Sequence, residues 1–175
     1  MLIADTIHNI LSNLFVAFFV IAIVTTLVKT RRLRLERRPY NGAYIFWGEL
    51  LFYSVGIGFL WSGIFHAYFQ SIAAPSIGWS PSPFEFELGW AEIGVAIVAL
   101  MALWRGFEFR LATTIIAAIF GLAAAAQHLQ QIACCQNYAP GNAGLILWFG
   151  DLFLPLLFVL LAVLSRDEAG SNSRL

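Results

Sequence analysis

Between Ile7 and Val28 no Asp, Glu, Lys or Arg interrupts the chain, and Leu111 to Gln131 is equally free of them. Three further stretches, residues 44–69, 84–104 and 143–164, are almost as apolar. An apolar run of about 18 residues or more is long enough to cross a bilayer as a helix. Hydrocarbon offers no hydrogen-bond partners, so such a segment must satisfy its own backbone groups, and a helix does this locally. Only 11% of the 175 residues are charged, against about 25% in soluble domains, which leaves no room for a separate soluble domain. The sequence therefore predicts an all-α fold, a single integral membrane bundle of five transmembrane helices at about residues 7–28, 44–69, 84–104, 111–131 and 143–164.

The first run has the length of a signal-peptide core, but no basic region precedes it and no small-residue cleavage site follows it. The block K-T-R-R-L-R-L-E-R-R comes after it instead, the pattern of a retained membrane helix. Five helices put alternate loops on opposite sides of the membrane. Lys29, Arg31, Arg32, Arg34, Arg37 and Arg38 then follow the first helix, Arg105 and Arg110 lie between the third and fourth, and Arg166 and Arg174 follow the fifth. These are all ten basic residues of the chain, and they share one side with five helices but not with four or six. By the positive-inside rule that side is cytoplasmic, with the N-terminus outside and the C-terminus inside, in the inner (cytoplasmic) membrane. The basic block also suits anionic lipid headgroups. The expected partners are the lipid bilayer and either a second membrane protein or further copies of this chain, with no nucleic acid.

Against that background the acids stand out. Ser82 to Glu92, S-P-F-E-F-E-L-G-W-A-E, opens the third helix and holds Glu85, Glu87 and Glu92. At a rise of about 1.5 Å per residue, His66 and Gln70 fall near the outer end of helix two, and His128 and Gln131 near that of helix four. Glu92 and Asp151 each lie about two turns into their helices from the same side. His8 and Asp5 belong to the outer start of helix one; Glu49, at the inner end of helix two, is the exception. Small residues share the faces of these groups. Ser54, Gly58, Ser62, His66 and Gln70 form one row, and Glu85, Gly89, Glu92, Ala96 and Ala99 another. Ala117, Gly121, Ala124, His128 and Gln131 form a third, and Gly144, Leu147 and Asp151 a fourth. Small residues mark the helix faces that approach closely in membranes, and a charge turned toward lipid costs about 2.5–3.5 kcal/mol at a helix centre. The polar groups are expected to face one another inside the bundle.

The candidate cluster is His66, Glu92, His128 and Asp151, with Gln70, Glu85, Glu87 and Gln131 around it. The favoured reading is a structural or accessory role, with metal or haem binding and proton- or ion-coupled transport as the alternatives. A structural or accessory membrane subunit would use the cluster to fix packing or dock a larger complex. A metal- or haem-binding protein would use the two imidazoles and two carboxylates as ligands for a transition metal, although no His-x3-His or Glu-x-x-His pair occurs on one helix. A small proton- or ion-coupled transporter would change the protonation of Glu92 or Asp151. No Walker, Rossmann or metalloprotease motif is present, nothing points to an enzyme, and catalytic residues stay unassigned.

Several residues have local explanations. Ser82-x-x-Glu85 with Pro83 is a capping box with proline at the first helical position, which accounts for Glu85 but not Glu92. Trp61, Trp79, Trp90 and Trp148 toward the outer boundary, with Trp47 and Trp104 toward the inner one, read as an aromatic belt. Asn142 reads as the N-cap of helix five. Cys134 and Cys135 are adjacent and form no C-x-x-C; a vicinal disulfide, a link to a partner and two inert thiols are all open, with a structural or inert role favoured over redox chemistry.

S-P-F-E-F-E-L-G at the opening of one helix, His128 near the end of the next, N-Y-A-P-G-N-A-G and the Asp151–Pro155 helix together resemble a family of small prokaryotic membrane proteins of unknown function. The resemblance spans about Tyr44 to Leu164 and is most specific at Asn137–Gly144, with Glu87 the more characteristic acid of the opening motif. It implies that the outer-side polar residues belong together, and it implies no activity or cofactor.

Overall fold

The apolar runs fold as helices, with no strand among the described residues. The computed structural model describes residues 2–168, with side chains for 14–167; Asp5 and His8 have side chains outside that range, and Arg174 lies outside it entirely. The helices are α1 (Leu2–Leu35), α2 (Gly42–Tyr68), α3 (Gln70–Ser76), α4 (Phe84–Ala102), α5 (Phe107–Cys135) and α6 (Pro140–Leu164). Four are long and apolar enough to cross a membrane: Leu14–Leu35 within α1, then α2, α5 and α6. Helix α4 has 19 residues but carries three carboxylates, which sets it apart from those four.

The first helix does not stop at Val28. It continues through the basic block to Leu35, because Lys, Arg and Leu are good helix formers and Arg32 and Arg34 occupy the last turn, where the helix dipole favours cations. Arg37, in the left-handed conformation (φ 53°), turns the chain away. Helix α2 likewise ends at Tyr68: Phe69 leaves helical geometry and Gln70 starts α3 in a new direction. The first half of the expected loop is therefore helical, and Gln70 does not continue the row of His66.

Both α2 and α6 contain a π-helical stretch, Leu51–Ile57 and Ile146–Phe153. In α6 the cause is legible. Pro155 has no N–H to donate to the carbonyl of Asp151, and a wider turn re-registers the backbone bonds. Gly121 on α5 makes room for this turn, since a Cβ there would lie 2.7 Å from Pro155 Cγ.

The closest helix contact joins α2 and α4. A Cβ on Gly89 would lie 2.5 Å from the Gly63 carbonyl and 2.6 Å from the Ala67 nitrogen, and one on Gly63 would lie 2.6 Å from the Gly89 carbonyl. The α4 face that makes this contact, Glu85, Gly89, Glu92, Ala96 and Ala99, is buried as its spacing predicts. On α5 the buried face runs through Ala117, Gly121, Ala125 and His128, with Ala125 in place of Ala124.

At the basic end the structure corrects one expectation. Trp47 is not part of a belt: it is wholly buried, its Nε1 donates to Thr114 Oγ1 at 2.9 Å, and it packs edge-on against Phe107. Beside it, the buried Arg110 donates to the carbonyls of Ala102 (3.0 Å), Leu103 (3.0 Å) and Tyr44 (2.7 Å) and lies over the Tyr44 ring. Two of these carbonyls lie at the end of α4, where helical partners run out, although that of Ala102 also accepts from Arg105 N–H at 3.2 Å. Lys29 pairs with the buried Glu49, tying α1 to α2 and explaining the acid outside the main cluster. Replacing Arg110 with Met is expected to lower stability by about 3 kcal/mol, near 1 kcal/mol for each of the three hydrogen bonds lost. The check is the thermal midpoint of the purified protein in detergent, where Lys at the same position restores only part of the loss.

Candidate functional site

The acidic side chains of α4 reach their partners because the chain enters the helix through Pro83. Phe84 N–H donates to Ser82 Oγ, and Ser82 N–H donates to Glu85 Oε1, both at 3.2 Å. The capping box therefore forms, but it does not account for the whole of Glu85. The second oxygen, Oε2, faces His66 Nδ1 at 3.5 Å, and both side chains are largely buried. Glu87, two residues from both Glu85 and Gly89 and so off the buried stripe, is exposed and does not join them. Gln70 and Gln131 are half-buried, and among the described residues neither side chain hydrogen-bonds to the cluster.

One turn deeper on α2, Ser62 lies near Glu92 of α4, and Asp151 of α6 lies near the same carboxylate. Glu92 is buried (5% exposed), and among the described residues its Oε2 has no hydrogen-bond partner. Asp151 in turn faces His128, with Oδ2 at 3.6 Å from Nε2. The other ring nitrogen, Nδ1, lies 2.7 Å from Asn142 Oδ1.

Asn142 is not the N-cap of α6. The helical turn starts after Ala139, and Asn142 lies inside it, fully buried. Its Nδ2 donates to the carbonyls of Asn137 (2.9 Å) and His128 (3.3 Å). Asn137 reaches back to the carbonyl of Ile77 at 2.9 Å, closing the α5–α6 connection onto the end of α3. Gly78 beside it has φ 77°, and a Cβ there would meet Asn137 Oδ1 at 2.5 Å, so glycine is required twice over. Trp79, on the same loop, lies over His128 with ring centroids 6.2 Å apart.

Two pairings result: His66 faces Glu85, and His128 stands between Asp151 and Asn142. Among the described residues no three His, Cys, Asp or Glu side chains converge to hold a metal ion, so the transition-metal reading finds no ligand set. Cys134 and Cys135 are joined to each other in a vicinal disulfide at the end of α5, which makes them neither free thiols nor a link to a partner.

Residues 12–171 match the profile of a family of unknown function, DUF6790. The chain belongs to this family. No curated protein and no solved structure matches it. The DUF6790 match takes in most of α1 as well as the Tyr44–Leu164 stretch that carries the resemblance, so the first helix is part of the family unit.

Three residues of this DUF6790 site carry little local signal. Ser62 reads only as a small residue on a packing face. Asn137 and Asn142 belong to N-Y-A-P-G-N-A-G, where Pro and Gly suggest a turn and asparagine a cap. Their actual partners, His128 and Ile77, are 14 and 60 residues away in sequence.

Proposed function

We propose that this protein spans the cytoplasmic membrane five times, N-terminus outside, and that its outer-half cluster holds and exchanges protons in a proton-coupled transport function. Helix α4 supplies the fifth span. Its 19 residues reach about 28 Å at the helical rise, close to the thickness of a hydrocarbon core. Glu85 and Glu92 turn inward onto α2, away from lipid. The distribution of all ten basic residues to one side of a five-span chain supports the orientation.

The observation that carries the proton reading is a mismatch of partners. Two imidazoles each face one carboxylate, His66 with Glu85 and His128 with Asp151, while Glu92 faces a hydroxyl and another carboxylate. Each His–carboxylate pair is neutral when it holds one proton, whichever partner carries it. Glu92 is neutral only when it holds a proton of its own. A buried cluster that avoids net charge in a low-dielectric interior therefore shares three protons among five sites, and Glu92 is the site whose proton leaves a charge behind.

The test is proton movement into proteoliposomes of the purified chain, followed with an entrapped pH-sensitive dye under an imposed pH gradient. Uptake well above that of empty vesicles is expected. Wild-type vesicles no leakier than protein-free ones would remove the proposal. A second reading, an interhelical lock that only fixes packing, draws on the Gly63–Gly89 contact, which lies one turn from both His66 and Glu92. Under that reading the same substitutions alter stability without any flux to lose.

A further inference from the structure

We infer that Asn142 is a positioning residue that fixes the tautomer of His128, so that the exchangeable proton of the His128–Asp151 pair lies between Nε2 and Oδ2. The functional meaning of this rests on the proton-holding reading above, but its geometry does not. Asn142 has two amide hydrogens, and both are committed, to the carbonyls of Asn137 and His128. Those carbonyls accept and cannot donate, so the amide cannot turn over without setting oxygen against oxygen at both contacts. Its Oδ1 is thereby held 2.7 Å from His128 Nδ1. An acceptor at that distance requires a donor, and Nδ1 carries the hydrogen in the neutral ring.

The opposite nitrogen, Nε2, then meets Asp151 Oδ2 at 3.6 Å. A neutral ring in this tautomer and an ionised carboxylate would confront lone pair with lone pair in a buried site. One proton between them removes the conflict. It resides on Oδ2 beside a neutral ring, or the Oδ2–H bond breaks and an Nε2–H bond forms, leaving carboxylate beside imidazolium. The pair is neutral in both arrangements, and the proton moves without a change in net charge. The groups facing this pair are Trp79 from the α3–α4 loop, Asn142 at the start of α6 and, on the far side of Asp151, Glu92 from α4. No cation packs there among the described residues. Asn142 thus gives the pair a direction, with its closed end at Nδ1 and its open end at Asp151.

The experiment is nitrogen NMR of the full chain, labelled with 15N-histidine in lipid nanodiscs, with His128 assigned by comparison with a His128→Gln sample. The expected wild-type spectrum shows the neutral ring of His128 protonated at Nδ1. A neutral ring protonated at Nε2 with a bare Nδ1 overturns the inference, and this outcome needs no variant to fold. Asn142→Leu removes the acceptor for Nδ1 and is expected to shift the tautomer ratio about tenfold toward Nε2–H, the worth of one hydrogen bond. A folded Asn142→Leu protein with an unchanged tautomer also overturns the positioning role. The expected tautomer without proton movement in vesicles removes the transport reading alone. Proton movement with the opposite tautomer removes this inference alone.

Discussion

Replacing Glu92 with Gln is expected to reduce proton movement into proteoliposomes about a hundredfold, the lower end of what a positioned proton-transfer group contributes. Glutamine keeps the size of the side chain and its place beside Ser62, but it has no proton to release. The protein should remain folded, because an amide in this buried place carries no charge to compensate. Glu92→Asp retains the carboxyl and should keep part of the flux. Glu87→Gln, on the exposed face of the same helix, should change nothing. A Glu92→Gln protein with undiminished flux, against a substantial wild-type signal, would remove Glu92 from the pathway.

Gly89→Ala is expected to lower stability by about 3 kcal/mol through a single methyl group. The atoms that the methyl would meet are the Gly63 carbonyl and the Ala67 nitrogen and Cβ, none of which can rotate out of the way. Helices α2 and α4 must move apart, and the contacts between His66 and Glu85 and between Ser62 and Glu92 would lengthen with them. Gly94→Ala on the same helix provides the control. Nothing lies within 4 Å of a Cβ there, and alanine should be neutral or gain up to about 1 kcal/mol from helix propensity. Thermal midpoints in detergent separate the two. Equal midpoints would mean that the α2–α4 contact is looser than described.

The helices and one buried face were legible in the sequence, because membrane helices follow a few strict rules. The α4 stripe from Glu85 to Ala99 could be read from spacing alone, since small and polar residues three and four apart share a face and that face avoids lipid. The residues that escaped did so for specific reasons. Trp47 sits where a belt residue would, and only the position of Thr114, 67 residues away, turns its N–H inward. Arg110 counts as a topology signal in sequence, yet its charge is spent on three carbonyls at the end of α4 and near the start of α2. The role of Asn142 depends on which way an amide faces, and that is decided by two carbonyls contributed by different segments.

The sequence by itself determined that the chain is helical and apolar enough for a membrane, and which residues of α4 share a buried face. Hydrocarbon admits few alternatives to a helix, and charge and hydropathy are written along the chain. Only the tertiary structure decided which acid meets which base. His66 takes Glu85 and His128 takes Asp151, leaving Glu92 without an imidazole. That choice turns on a π-helical turn beside Pro155, the close approach of Gly63 to Gly89 and the break at Phe69, each of which shifts a side chain along or around its helix. Pairing depends on such shifts, and periodicity is blind to them.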